Sequence, residues 1–211
     1  IPGFADRFLT LRGFKPMQRC LNLGNIEGDR DYTALVLRKI KRIAREHGAI
    51  SLGGYASRKW EHTRYAEPFM REDLNDYGIL IDTLEAGVTW DRLHRLHEGV
   101  RAFVKSRPDT MCMTHASHFY PQGTNLYFIF IARMDVEEYV TFQSGIIDQI
   151  IKYGGTLSHH HGVGRMLGPW VEGHLGPEQM AVLRALKQHF DPHNIMNPGG
   201  QLGLDTVYIR R

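Results

Sequence analysis

The chain reads as an α+β protein: a ferredoxin-like antiparallel sheet with helices on one face, followed by a C-terminal helical segment. Three observations predict this. Apolar residues switch between alternation and helical spacing in the order β-α-β, a helical insert, then β-α-β-β-α, which suits an antiparallel or mixed sheet. The 211 residues are 42% hydrophobic and 23% charged, ordinary values for one domain with a sizeable core. No long linker, low-complexity run or heptad array interrupts them.

Met17 to Ile26 is predicted as a strand closing at Glu27-Gly28-Asp29. Tyr32, Leu35, Val36, Ile40, Ile43 and Ala44 then recur at helical spacing, with Asp29 or Asp31 as cap and His47-Gly48 as stop. A short strand follows at Ala49 to Leu52. The polar stretch Ser57 to Asn75, with Trp60, Tyr65, Phe69 and Met70, holds one or two helices. Tyr77 to Glu85 is a second long strand. Thr89 is expected to cap a helix whose inner stripe is Leu93, Leu96, His97, Val100 and Phe103, with Asp91 near its start. His97 reads there as a packing histidine. Strands at Thr110 to Phe119 and Asn125 to Met134 are joined by the turn Tyr120-Pro121-Gln122-Gly123-Thr124. A helix from Val136 to Tyr153 ends at Gly154-Gly155, and a last one runs from Glu178 to Phe190.

Composition excludes several classes. A net charge of +3 is too small for a nucleic-acid protein, and Arg38, Lys39, Lys41, Arg42 and Arg45 are the wet face of one helix. No apolar run approaches the roughly 20 residues of a membrane span. Cys20 and Cys112 form no metal pattern or disulfide framework, so a reducing, cytoplasmic setting is expected, with Cys20 as a small core residue. The start Ile1-Pro2-Gly3 lacks an initiator methionine, and the chain reads as the C-terminal piece of something longer.

The chemistry concentrates at Thr156-Leu157-Ser158-His159-His160-His161-Gly162-Val163-Gly164. Imidazole can donate, accept or ligate near neutrality, and the flanking small residues allow close approach of backbone. A solvated loop is the plain alternative. A metal site is disfavoured because adjacent histidines diverge and no carboxylate accompanies them. Nucleophile elbows and Walker or dinucleotide fingerprints are missing. Tyr127 shares a strand face with Ile129 and opposes Phe128, and hairpin pairing brings His115 and His118 beside it. A titratable cluster next to a tyrosine suits general acid-base work on a substrate held at a cofactor. The chain carries no cofactor cradle, so a partner domain should supply one.

Leu157 to Gly164, followed by Asp191-Pro192-His193-Asn194-Ile195, resembles the C-terminal part of FAD-linked oxidases of the vanillyl-alcohol-oxidase type. Arg12-Gly13-Phe14, Glu27-Gly28-Asp29-Arg30, Glu85, Trp90-Asp91-Arg92, Leu126-Tyr127-Phe128 and Gly154-Gly155 extend the likeness over nearly the whole chain. Within these enzymes the pattern is most similar to the alkyldihydroxyacetonephosphate synthases. The related glycolate, D-lactate and 2-hydroxyglutarate dehydrogenases hold a metal with a glutamate and a strand histidine, where this chain has His160 and Tyr127.

The resemblance implies FAD as cofactor, on a domain preceding Ile1, and exchange of an acyl for an alkyl group in ether-lipid synthesis. It implies Tyr127 as acid-base catalyst, with His159, His160 and His161 beside flavin and substrate. Arg71 and His115 would bind substrate; His115 stands where the synthases carry an arginine. His160, His161 and Asn197 would contact the cofactor. Trp60, Phe69, Phe119 and Trp170 are candidates for an apolar channel. Expected partners are the FAD-binding domain of the same protein and a small-molecule or lipid-like substrate, with a homodimer and peripheral membrane association left open. The alternative is an FAD-linked 2-hydroxyacid dehydrogenase or oxidase.

Overall fold

The computed structural model describes residues 3–16, 18–66, 69–200 and 204. They fall into two units, Ile1–Pro68 and Phe69–Arg211. The first unit contains α1 (Phe4–Leu11), α2 (Arg30–Glu46) and α3 (Tyr55–Thr63). Asp29 caps α2 by accepting the Tyr32 N–H at 2.8 Å, and Gly48 at φ +75° follows its last turn.

Two expected strands in this unit do not form. Neither 18–26 nor 49–52 pairs with a strand among the described residues, and Met17 lies outside them. Apolar content permits extended backbone, but a strand exists only where a neighbour takes up its N–H and C=O groups. Arg19 instead folds back on α1, with its guanidinium bonded to Phe14 O and Thr10 Oγ, each at 2.9 Å, and to the Asp6 carboxylate. Cys20, expected in the core, is exposed on the same stretch.

The second unit runs α4 (Met70–Asn75), β1 (Ile79–Thr89), α5 (Leu93–Ser106), β2 (Met111–Ser117), β3 (Gly123–Arg133), α6 (Val136–Lys152), α7 (Gly164–Leu175) and α8 (Pro177–Phe190). Its sheet is antiparallel with order β1-β3-β2 among the described residues, so β1-α5-β2-β3-α6 has the expected ferredoxin-like path. Thr89 does not cap α5. It pairs with Gly123 as the last rung of β1, and α5 starts after Arg92 without a side-chain cap.

Alternation divides the sheet into two faces. Leu84, Ala86, Val88, Leu126, Phe128 and Phe130 are buried in one core with Leu96, Val100 and Val104 of α5 and Ile146, Ile147 and Ile150 of α6. Each such large side chain contributes about 1.5–3 kcal/mol by leaving water. His97 lies in this layer, its ring 6.3 Å from that of Phe128, and burial followed by the Arg101 charge lowers its pKa. The opposite face carries Glu85, Tyr127 and His115, aligned in one row because Tyr127 pairs with Glu85 on one side and His115 on the other.

The helix α7 has no counterpart in the sequence reading, because Gly168-Pro169 looks like a breaker. Pro169 is accommodated within it, and the neighbouring Trp170 indole donates to Asp148 of α6 at 2.7 Å. Trp170 is thereby a core residue, 8% exposed.

Candidate functional site

The histidine run is delivered to the polar face of the sheet by the end of α6. Gly154 takes φ +80°, a turn that a side chain resists, and Gly155 N–H bonds back to Ile150 O at 2.9 Å. A side chain at Gly155 would meet Ile150 and Ala86, so the backbone passes tight against β1 there. Thr156 then locks onto Gly87 in both directions: Thr156 N–H donates to Gly87 O at 2.9 Å, and its hydroxyl accepts Gly87 N–H at 2.8 Å. Leu157 enters the core, and the next four residues turn over the sheet.

Glu85 holds that turn. Its Oε1 accepts the backbone N–H groups of His159, His160 and His161 at 2.8, 2.7 and 2.6 Å, and the Ser158 hydroxyl at 2.9 Å. Oε2 accepts Asn125 Nδ2 at 2.9 Å and faces His160 Nδ1 at 3.0 Å. Burial pushes the Glu85 carboxyl up, but the amides of His161, His160 and His159 and the Asn125 side chain outweigh it and hold the pKa at about 2. A buried charge is tolerable when saturated by donors in this way. The expectation that no carboxylate accompanies the histidines is therefore corrected: Glu85 lies far away in sequence and directly beneath them in space.

Above Glu85 the rings gather around Tyr127. Its hydroxyl is 3.0 Å from His118 Nδ1, 3.4 Å from His160 Nε2 and 3.3 Å from Ser117 Oγ, which also contacts His118 Nδ1 at 2.8 Å. His159 Nδ1 is 2.9 Å from His160 Nδ1, and His159 Nε2 is 3.2 Å from the Tyr120 hydroxyl. The Tyr127 and His161 ring centroids are 5.5 Å apart. Tyr127 is buried, whereas all three consecutive histidines are exposed, so the cluster has a dry floor and an open roof. Such an arrangement can pass a proton through the phenol while the imidazoles bind oxygen or nitrogen atoms of a ligand.

Of the residues singled out from sequence, Tyr127, His159, His160, His161 and His115 come together; the His115 and Tyr127 ring centroids are 5.2 Å apart. Arg71 stands on α4, where its charge acts on Tyr139, a phenol whose pKa is raised by burial and by the hydrogen bond to Asp82. No hydrogen bond among the described residues joins Arg71 to the histidines. Asn197 lies beyond α8 at φ +48°, in a loop held to the start of α7 by Arg165 donating to Pro198 O at 3.2 Å. Phe119 stacks on Trp90, whose indole donates to Tyr120 O at 3.0 Å, and so borders the histidine rim. Sequence reading missed the roles of Glu85, Ser158, Ser117, Asn125 and Tyr120. Strand alternation would have put Glu85 on the Tyr127 face once the register was known.

Two groups, His118-His159-His160 and Glu85-His160-His161, bring one ligand atom from each residue within 4.8 Å of the others. Closing either around a cation would displace existing bonds, since both ring nitrogens of His159 and of His160 are already engaged. The exposed edge of His161, whose ring makes no hydrogen bond among the described residues, suits a heteroaromatic ring carrying donors and acceptors, as a flavin does.

Fold and site together define an α+β domain whose sheet carries a wall of exposed imidazoles over a buried tyrosine. The chain belongs to the family of FAD linked oxidases, C-terminal domain, whose model matches residues 3–200. Alkyldihydroxyacetonephosphate synthase from Dictyostelium discoideum is 32% identical over 197 residues, covering 89% of this chain and 32% of that protein. The synthase of Caenorhabditis elegans is 27% identical over 198 residues, covering 87% of this chain and 33% of its own length. A solved structure of alkyldihydroxyacetonephosphate synthase superposes with a TM-score of 0.61 at 28% identity, over 82% of this chain and 30% of that one. The chain thus spans about a third of the length of the curated relatives it matches. No helix among the described residues is long and apolar enough to cross a membrane.

Proposed function

We propose that the chain is the substrate-facing C-terminal part of an FAD-dependent enzyme of ether-lipid synthesis, exchanging the acyl group of an acyl-dihydroxyacetone phosphate for an alkyl group. The observation that carries this reading is the Tyr127 hydroxyl, half-buried and in contact with His118, His160 and Ser117 beside an exposed histidine wall. Tyr127 takes and returns the carbon-bound proton of the substrate. His159, His160 and His161 line the face turned to the substrate and to the flavin, which an FAD-binding domain of the same protein carries. His161, whose ring makes no hydrogen bond among the described residues, is the one that bonds their polar atoms. FAD, when bound, supplies the electron-rich centre at which the two chains are exchanged. Splitting one difficult substitution into two easier ones is the general benefit of such chemistry.

His115, on the same row as Tyr127, meets the substrate phosphate. It does so as a single donor where the synthases are expected to use the fork of an arginine. Arg71 and Asn197 complete the substrate and cofactor contacts respectively. The alkyl and acyl chains partition into bilayers, which suits an enzyme working peripherally at a membrane surface.

The test is a paired assay on the full-length, FAD-loaded protein: alkyl-for-acyl exchange with a fatty alcohol, and bleaching of the flavin by D-lactate or glycolate. Exchange without bleaching is expected. Robust bleaching without exchange would replace this reading with a 2-hydroxyacid dehydrogenase.

A further inference from the structure

We propose that Glu85 is a positioning residue for proton movement at Tyr127, because its carboxylate dictates which nitrogen of His160 carries the proton. The inference rests on Tyr127 being the acid-base group. Glu85 Oε2 lies 3.0 Å from His160 Nδ1, and an ionised carboxylate beside that nitrogen favours a hydrogen there over a second lone pair. His160 Nε2 is then left with its lone pair directed at the Tyr127 hydroxyl, 3.4 Å away. That is the form able to receive the phenol proton.

The same choice propagates to the next ring. The one hydrogen on His160 Nδ1 points to His159 Nδ1 at 2.9 Å, with Glu85 Oε2 flanking it, so a neutral His159 carries its own hydrogen on Nε2 and donates to the Tyr120 hydroxyl at 3.2 Å. One carboxylate therefore orders hydrogen bonds across two imidazoles.

Glu85 cannot swing out of this role. Three backbone amides and the Ser158 hydroxyl fix Oε1, while Asn125 fixes Oε2 from the side. Asn125 is fully buried, so the bracing is dry. Both oxygens are thus assigned, one to the shape of the loop and one to the protonation pattern of its central histidine.

The experiment uses the full-length, FAD-loaded protein with ¹⁵N-labelled histidine. Long-range ¹H–¹⁵N correlation reads the tautomer of His160, whose signals are identified by their loss in His160→Asn. The wild type should show the hydrogen on Nδ1. In Glu85→Gln the side-chain oxygen can keep the backbone amides, which leaves an N–H group facing His160. The tautomer should then invert, and kcat for exchange should fall at least about 10²-fold with KM little changed. A wild-type His160 protonated on Nε2 would overturn the proposal, whatever the variant does. So would a Glu85→Gln protein whose turnover falls with the tautomer unchanged, since Glu85 would then merely shape the loop. Loss of turnover in Tyr127→Phe tests the acid-base reading separately: if that variant stays active, the reading fails while the tautomer result still stands by itself.

Discussion

Glu85 and Tyr127 occupy directly opposed positions in the β1–β3 ladder, and both side chains leave the same face of the sheet. The carboxylate is consumed by the backbone of the histidine loop, and the phenol is left facing the loop's rings. In the proposed function the pair separates two tasks, holding and reacting, onto adjacent strands.

Tyr127→Phe should lower exchange activity by at least about 10²-fold while FAD stays bound. The substitution removes one hydroxyl and its contacts with His118, His160 and Ser117, whose own groups stay half-buried or exposed, so stability should change by no more than about 1–2 kcal/mol. Turnover and flavin content, measured on one preparation, check this. Unaltered turnover would remove Tyr127 from the chemistry.

Glu85 should make stability depend on acid. Its carboxyl is held at about 2 in the folded chain against an ordinary 4.5, so ionisation favours the folded state. That contribution, about 3 kcal/mol, is fully present above pH 4.5 and is lost as pH falls from 4.5 towards 2. Urea unfolding of the wild type and Glu85→Gln should show a gap at neutral pH that narrows below pH 4.5. A gap that stays constant into acid would mean the carboxylate is not the anchor.

His115→Ala should raise KM for the phosphorylated substrate roughly 10-fold or more with little effect on kcat, as expected when one hydrogen bond to a charged group is lost. Steady-state kinetics decide it. An effect confined to kcat would assign His115 to the reacting centre instead.

Gly123→Ala should destabilise the second unit by about 1–3 kcal/mol. A Cβ at this position would lie 2.1 Å from Val88 O, a backbone atom that cannot rotate aside, at the last rungs of the β1–β3 ladder. The turn bearing Tyr120 closes on the same residue through Tyr120 N–H and Gly123 O at 2.8 Å. Thermal unfolding measures the loss, and an unchanged midpoint would show that the ladder can open there without cost.

Much of the second unit was legible because its elements repeat locally. Alternation marked the strands containing Tyr127 and His115, helical spacing marked α5 and α6, and Gly154-Gly155 marked the exit from α6. The failures share a cause. Residues 18–26 and 49–52 have strand-like composition but no ladder partner among the described residues, and α7 contains a Pro that local rules treat as a stop. Whether a neighbour exists, or a helix tolerates Pro169, depends on contacts that periodicity does not encode.

By itself the sequence determined the strand faces, the helix at whose end the histidines emerge, and the chemical identity of the wall. These follow from side-chain type and from spacings of two or 3.6 residues. Tertiary structure alone decided that Glu85, 74 residues before His159, would lie beneath the loop, and that His160 would reach the Tyr127 hydroxyl. A carboxylate's acceptor capacity leaves no periodic trace along the chain. Its partners are chosen by strand register and by the route of the backbone after Gly155, and through them comes the proposed setting of which imidazole nitrogen faces the phenol.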